Sequence, residues 1–132
     1  MVVAAVPVRP GAAGGLEFLL VRTSNGERWT FPKGGVERGE TLAEAAVREA
    51  AEEAGAAGRI CDEPIGDYRY GEYTVTAFLL EVEHTAPPEE RGRNPSWCGL
   101  EAARSRLAAG RGGGFGEQME RILLAAQRAA LK

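Results

Sequence analysis

The stretch that decides the fold, GGVERGETLAEAAVREAAEEAGA, runs from Gly34 to Ala56 of this 132-residue chain. Glu49, Glu52 and Glu53 within it are separated by one to four positions. A helix through this stretch would bring all three carboxylates to one face. Like charges at helical spacing repel one another by roughly 0.2–0.5 kcal/mol per pair. We therefore expect this face to bind a cation.

The helix that carries these acids is predicted to begin at Glu40 or Thr41 and to end at Gly55, which puts the carboxylates at its negative end. Unfavourable placement of charge, here repulsion between acids at the negative end of a helix, is typical of functional sites. The alternative is a solvated acidic surface, because charge runs are usually just surface. Two features favour a site. Arg48 is the only cation of the helix, and the preceding segment Pro32–Gly35 would bring bare glycine backbone close to the acids.

The same residues resemble the Nudix box, G-x5-E-x7-R-E-U-x-E-E-x-G-U, in which U is a bulky aliphatic residue. Ala50 and Ala56 depart from the pattern at the two U positions, which affects packing more than chemistry. The resemblance implies an α/β fold, an α/β/α sandwich with a central mixed β-sheet, and residues 1–132 fit one such domain. The seven fixed positions are all matched, by Gly34, Glu40, Arg48, Glu49, Glu52, Glu53 and Gly55.

The resemblance also implies a metal-dependent hydrolase that cleaves a phosphoanhydride bond with metal-activated water. Hard oxygen ligands suit Mg²⁺, with Mn²⁺ as a second possibility. Glu49, Glu52 and Glu53 are the expected metal ligands, and the backbone carbonyl of Lys33 is expected to add another. Arg48 is expected to orient these acids.

The general base is open at this point. Within the box it is Glu52 or Glu53, and outside it Glu89 or Glu90 lies in a loop that could reach the site. Glu40 and Gly55 are assigned a supporting role in the motif.

The segment Pro32–Glu37, preceded by Trp29, resembles the Nudix branch that acts on diadenosine polyphosphates and diphosphoinositol polyphosphates. We therefore expect a dinucleoside polyphosphate substrate. A nucleoside triphosphate, ADP-ribose, an RNA 5′ end and a non-catalytic nucleotide-binding role are the alternatives. The expected substrate-binding residues are Lys33, Gly34, Gly35, Arg9, Arg22 and Arg69. Further candidates are Arg28, Arg91 and Arg93 for phosphate, and Tyr68, Tyr70 and Tyr73 for either core packing or adenine stacking.

The composition of the chain limits the classes of partner and metal that we expect it to bind. A net charge of −3 gives no reason to expect duplex nucleic acid or a membrane surface. Cys61 and Cys98 form no paired motif and are expected to be reduced, and a single histidine, His84, argues against zinc. The apolar start lacks the basic region of a signal peptide, so a cytoplasmic monomer or homodimer acting on a small molecule is expected.

Hydrophobic periodicity and turn signals place the remaining elements. Helix 40–55 is expected to bury Ala43, Ala46, Val47, Ala50 and Ala54. The predicted loops are Pro32–Gly39 and Ala86–Pro95. The predicted strands are Val2–Val8, Leu16–Arg22, Trp29–Phe31, Arg59–Ile60, Asp67–Tyr70, Tyr73–Glu83 and Ser96–Cys98. The other predicted helices are Leu100–Ala108 and Phe115–Leu131.

Overall fold

A computed structural model describes residues 1–12 and 14–130 of the chain. Its strands are β1 (Val2–Pro10), β2 (Leu16–Arg22), β3 (Trp29–Thr30), β4 (Lys33–Gly35), β5 (Ala56–Ile60), β6 (Gly66–Tyr70), β7 (Tyr73–Thr85) and β8 (Ser96–Gly99). Its helices are α1 (Leu42–Glu49), which runs into a π-helical turn (Ala50–Ala54), then α2 (Leu100–Ala108) and α3 (Phe115–Ala130).

The strands form a mixed sheet in the order β3-β2-β1-β7-β5, in which β4 also pairs with β1, β6 with β7 and β8 with β2. The central pair, β1 and β7, is parallel, and the remaining pairs are antiparallel. β1 is buried from Val3 to Val8, and the middle of β7 is buried from Ala77 to Leu80. Burial on both faces is the reason that Val2–Val8 reads as an unbroken apolar run.

The two faces of the sheet carry separate cores because side chains of a strand alternate between faces. Val3 and Ala5 of β1 pack with the alanines of α1 and the π-turn, whereas Ala4, Val6 and Val8 pack with α2 and α3. Helices therefore cover both faces, which confirms the predicted α/β/α sandwich.

The helix of the quoted stretch begins where the sequence predicted. Thr41 caps it, because its hydroxyl accepts the backbone N–H of Glu44 and the Glu44 carboxylate accepts the N–H of Thr41. The last turn differs from the prediction, because Ala50–Ala54 is π-helical rather than α-helical. Such turns are often found at functional sites. Gly55 then ends the helix in the left-handed region, at a φ of 64°.

Several boundaries and faces differ from the prediction. Strand β4 lies inside the segment predicted as loop, because its glycines pair with β1. On α1, Val47 is 36% exposed and Ala45 takes its place in the core, since a stripe of alanines does not fix the rotation of a helix. His84 lies within β7, opposite Ala57, rather than after it. Leu131, the predicted end of the last helix, lies outside the described residues. None of the described helices is long and apolar enough to cross a bilayer.

Candidate active site

Arg48 organises the acidic face. Its Nε lies 2.7 Å from Glu40 Oε2, its Nη1 donates to Glu49 Oε2 at 2.9 Å, and its Nη2 donates to the Gly35 carbonyl at 2.8 Å. The Glu52 carboxylate lies further away, 3.4 Å from Nη1. The bond to Glu40, followed by the bond to Glu49, raises the pKa of Arg48 and keeps the guanidinium charged. Arg48 thus contacts Glu40, Glu49 and the Gly35 carbonyl, and its orienting role stays a prediction.

Glu53 and Glu49 are the buried carboxylates of the site, with exposures of 4% and 6%. The backbone N–H of Lys33 donates to Glu53 Oε1 at 3.2 Å, and Arg93 Nη2 lies 3.5 Å from Glu53 Oε2. Burial raises the pKa of Glu53 to about 8, against the opposing charge of Arg93 and with a further contribution from Glu49. Two carboxylates this close in a dry setting create a demand for positive charge.

Arg93 lies beside the acidic face, so Arg48 is joined there by a cation from outside the helix. It comes from the Ala86–Pro95 loop, and also donates to Glu90 at 2.7 Å and to the Arg22 carbonyl at 3.0 Å. The backbone N–H of Glu90 in turn donates to the Glu52 carbonyl at 3.0 Å. The loop thus clasps the end of the helix and supplies a second cation. Glu90 is brought to the site in this way.

The free edge of β4 faces the acids. Ala5 N–H donates to the Pro32 carbonyl, so the next residue, Lys33, is a non-hydrogen-bonded partner of Ala4 in the antiparallel ladder. The backbone groups of such a residue point away from the partner strand. Since the Lys33 N–H reaches Glu53, the Lys33 carbonyl is directed to the same side. This orientation agrees with the predicted extra oxygen ligand.

Gly34 is required by the close approach of β4 to the helix. A Cβ added at Gly34 would overlap the carboxylate of Glu49, whereas a Cβ at Gly35 would meet its nearest atom, the Met1 carbonyl oxygen, at 3.9 Å. The glycine pair therefore has two different roles. Gly34 makes room for an acid, and Gly35 offers its carbonyl to Arg48.

The donor set fits a hard divalent cation. Two buried carboxylates, the adjacent Glu52 and the Lys33 carbonyl are oxygen ligands of the kind that Mg²⁺ prefers. Within residues 1–12 and 14–130, three His, Cys, Asp or Glu side chains are not already gathered around one point. The reason is local, because Arg48 holds Glu49 and draws Glu52 towards itself.

A cavity of about 310 Å³ opens beside Glu53. Lys33 lines this cavity, and its Nζ lies 4.0 Å from the centre of the Tyr70 ring. The cavity thus combines one buried carboxylate with several cations, an arrangement suited to an anionic ligand next to a metal. Its lining residues are Thr23, Ser24, Asn25, Arg28, Lys33, Glu53, Tyr70 and Arg93.

Three of the predicted substrate-binding arginines do not line this cavity. Arg9 pairs with Glu17 at 2.7 Å, and Arg69 is exposed on β6, where it donates to a threonine. Arg22 lines the neighbouring cavity beside Trp29. The sequence could not show which arginines reach the cavity, because their positions depend on strand register and on the routes of the loops.

The tyrosines divide between core and site. Tyr68 is buried, with an edge-on contact to Phe31 and another to Phe115. Tyr70 lies at the cavity, whereas Tyr73 is 62% exposed. Alternation along β6 gives Tyr68 and Tyr70 the same face but different depths.

The turn Thr23–Asn25 was not predicted to reach the site. The Asn25 side chain accepts the Thr23 hydroxyl at 2.6 Å and the backbone N–H of Glu27 at 3.0 Å. The Asn25-Gly26 pair indicates this turn in the sequence, but nothing in the pattern indicates that it lies opposite Lys33.

Comparisons with known proteins show what the chain resembles in sequence and in fold. The NUDIX domain family matches residues 1–115. The chain is 35% identical over 97 residues to Nudix hydrolase 4 of Arabidopsis thaliana, covering 67% of this chain and 46% of that protein. It is 56% identical over 41 residues to the asymmetrical bis(5′-nucleosyl)-tetraphosphatase of Sus scrofa, covering 30% of this chain and 28% of that protein.

A solved structure, a binary complex of the C. elegans Ap4A hydrolase, superposes with a TM-score of 0.75 and 27% identity, covering 99% of this chain and 97% of that one. The chain spans about half the length of the curated relatives that it matches first. The family match covers most of the chain and includes the whole site described above. The chain therefore belongs to the Nudix family.

Proposed function

We propose that the chain is a Mg²⁺-dependent hydrolase that cleaves a phosphoanhydride bond of a dinucleoside polyphosphate by attack of water. The observation that carries this proposal is the cavity beside Glu53, where Lys33 and Arg93 face buried carboxylates. Cations stabilise a bound polyphosphate, and a metal ion can bridge its oxygens to carboxylates.

The relatives support the substrate class. The C. elegans protein named an Ap4A hydrolase shares the fold over nearly the whole of both chains. The pig protein is named a bis(5′-nucleosyl)-tetraphosphatase, and its similarity to this chain is 56% identity over 41 residues. These names favour a dinucleoside polyphosphate over a nucleoside triphosphate, ADP-ribose or an RNA 5′ end.

Each side chain of the site has a distinct role in the proposed reaction. Glu49, Glu53 and the Lys33 carbonyl would hold the cation, with Glu52 at its edge. A divalent cation bound there neutralises phosphate charge and lowers the pKa of a coordinated water. The Lys33 ammonium and the Arg93 guanidinium would bind phosphate oxygens and stabilise the charge that develops on them.

Glu52 is proposed as the general base. Its side chain is 30% exposed, and the one side-chain contact it makes among the described residues is at 3.4 Å to Arg48, so it can take a proton from water and release it to solvent. Glu53, by contrast, is fixed by the Lys33 N–H and Arg93. A general base must reach the proton that it abstracts, and the more exposed Glu52 is free to do so while Glu53 is committed to the cation.

The test is a substrate panel with Mg²⁺, analysed for products: diadenosine tetraphosphate, a nucleoside triphosphate, ADP-ribose and capped RNA. We expect ATP and AMP from diadenosine tetraphosphate, at the highest kcat/KM of the panel. A preference for another substrate of the panel would refute the proposed substrate class. Absence of hydrolysis by folded, Mg²⁺-loaded protein would refute the proposed hydrolase activity.

Two variants separate the roles of the acids. Glu52→Gln should lower kcat about 100-fold or more while Mg²⁺ still binds, as measured by calorimetry with a non-hydrolysable substrate analogue. Glu53→Gln should weaken Mg²⁺ binding itself. If Glu53→Gln bound Mg²⁺ and turned over like the parent, the metal site would have to lie elsewhere.

A further inference from the structure

A second cavity, of about 450 Å³, adjoins the proposed active site. Arg28 lines both cavities. No step of the proposed reaction uses this second cavity. Its lining residues are Arg22, Glu27, Arg28, Trp29, Ser105, Arg106, Ala109 and Gly110.

The register of the sheet and the end of α2 build this cavity. Arg22 and Trp29 are directly opposite each other in the β2–β3 pair, and the Arg22 guanidinium lies 4.1 Å from the centre of the Trp29 ring. Arg106 of α2 approaches the same ring at 5.1 Å. Arg28 is held by its Nε, which donates to the Gly110 carbonyl at 3.0 Å.

The cations of this cavity lack carboxylate partners. Among residues 1–12 and 14–130, no carboxylate lies within 4.0 Å of the guanidinium nitrogens of Arg22, Arg28 or Arg106. Arg48 and Arg93, in contrast, each contact more than one carboxylate. The cavity is thus lined by three guanidinium groups and one carboxylate, Glu27, and this excess of positive charge in a chain of net charge −3 favours an anionic ligand.

We propose that the cavity of Arg22, Arg28 and Arg106 binds the polyphosphate segment of the substrate that lies beyond the bond being cut. Guanidinium forks match phosphate oxygens, and each of these groups is already positioned by a ring or a carbonyl. A base is less suited, because it would have to displace Arg22 and Arg106 from the Trp29 ring. The assignment rests on the proposed function, because it gives the long substrate a place to extend past Arg28.

Direct binding tests the cavity without turnover. Trp29 is the reporter in a Trp97→Phe background, because the chain has two tryptophans. We expect inorganic tripolyphosphate, added in EDTA, to change Trp29 fluorescence saturably. Arg22→Gln and Arg106→Gln should each weaken this binding about tenfold, the effect of one charge-assisted hydrogen bond.

Arg104→Gln is the matched control, because Arg104 lies on the same helix as Arg106 but pairs with Glu101 and Glu120. It removes the same charge and should leave binding unchanged. Equal weakening by Arg104→Gln would mean that only net charge matters and would overturn the proposal. A response to adenosine but not to tripolyphosphate would overturn it too.

Kinetics links the cavity to the substrate. Arg106→Gln should raise KM for diadenosine hexaphosphate about tenfold more than KM for ADP-ribose or another diphosphate substrate, and Arg106→Lys should restore part of the loss. Equal effects on long and short substrates would contradict the assignment. If the parent hydrolyses nothing, the proposed function fails, while the tripolyphosphate titration still decides whether the cavity binds phosphate.

Discussion

The buried carboxylate of Glu53 makes the stability of the metal-free protein depend on pH in an unusual direction. Burial raises its pKa from 4.5 to about 8, so the folded protein holds a proton that the unfolded chain releases. The contribution of this proton to stability is complete below the unfolded pKa and is lost as the pH rises towards about 8. Carboxylates that are paired with a cation in the folded protein show the opposite trend.

The size of the effect follows from the same pKa values. At about 1.36 kcal/mol per pKa unit, the free energy of unfolding should fall by roughly 3 to 4 kcal/mol between about pH 5 and about pH 8. For a chain of this length the melting temperature would fall by roughly 10 to 15 °C. Glu53→Gln carries no titrating group there, so the difference between parent and variant isolates this contribution.

The assay is urea unfolding in EDTA at several pH values, for the parent, for Glu53→Gln and for Glu72→Gln. Glu72 is exposed beside the β6–β7 turn and controls for the loss of one carboxylate. The parent should lose stability relative to Glu53→Gln as the pH rises, and Mg²⁺ should return it by mass action. Parallel pH profiles for the parent and Glu53→Gln would refute the reasoning.

Two substitutions test the packing around this acid. Gly34→Ala should destabilise the protein by about 1–3 kcal/mol in urea unfolding, because its Cβ would overlap the Glu49 carboxylate. Gly35→Ala, with open space at the same strand, should cost much less, and equal losses would contradict the close approach. Arg93→Ala should destabilise the protein at about pH 8 by up to about 3 kcal/mol, because it leaves a buried charge unpaired. The loss should shrink at about pH 5, where Glu53 is protonated, and a loss independent of pH would mean that Arg93 acts through other contacts.

The sequence was sufficient for the parts of the fold that depend on local pattern. The capped start of α1, its end at Gly55 and the helix Leu100–Ala108 all follow from caps, glycines and apolar spacing. The π-turn could not be predicted, because over a single turn the spacing of residues does not distinguish it from an α-helix. Its backbone is fixed partly by the distant hydrogen bond from Glu90 to Glu52.

For the site, the motif identified the acids and Arg48. In the structure Arg48 contacts Glu40 and Glu49. The assignment of metal ligands and general base stays a prediction. The sequence did not predict which of the surrounding cations lie next to these acids. Arg9 and Arg93 look alike in sequence, yet only Arg93 lies at the acids, because the route of the Ala86–Pro95 loop decides it. Long-range placement of this kind leaves no periodic signal.

The contacts between the Ala86–Pro95 loop and the end of the helix mean that the site cannot be complete when the helix alone has formed. Helix α1 can form from its own caps, but the partner of Glu53 arrives about 40 residues later in the chain, after β5, β6 and β7. Contacts of high sequence separation form slowly, since a long loop must close first. Competence for chemistry should therefore appear among the last events of refolding, well after the helical signal has recovered.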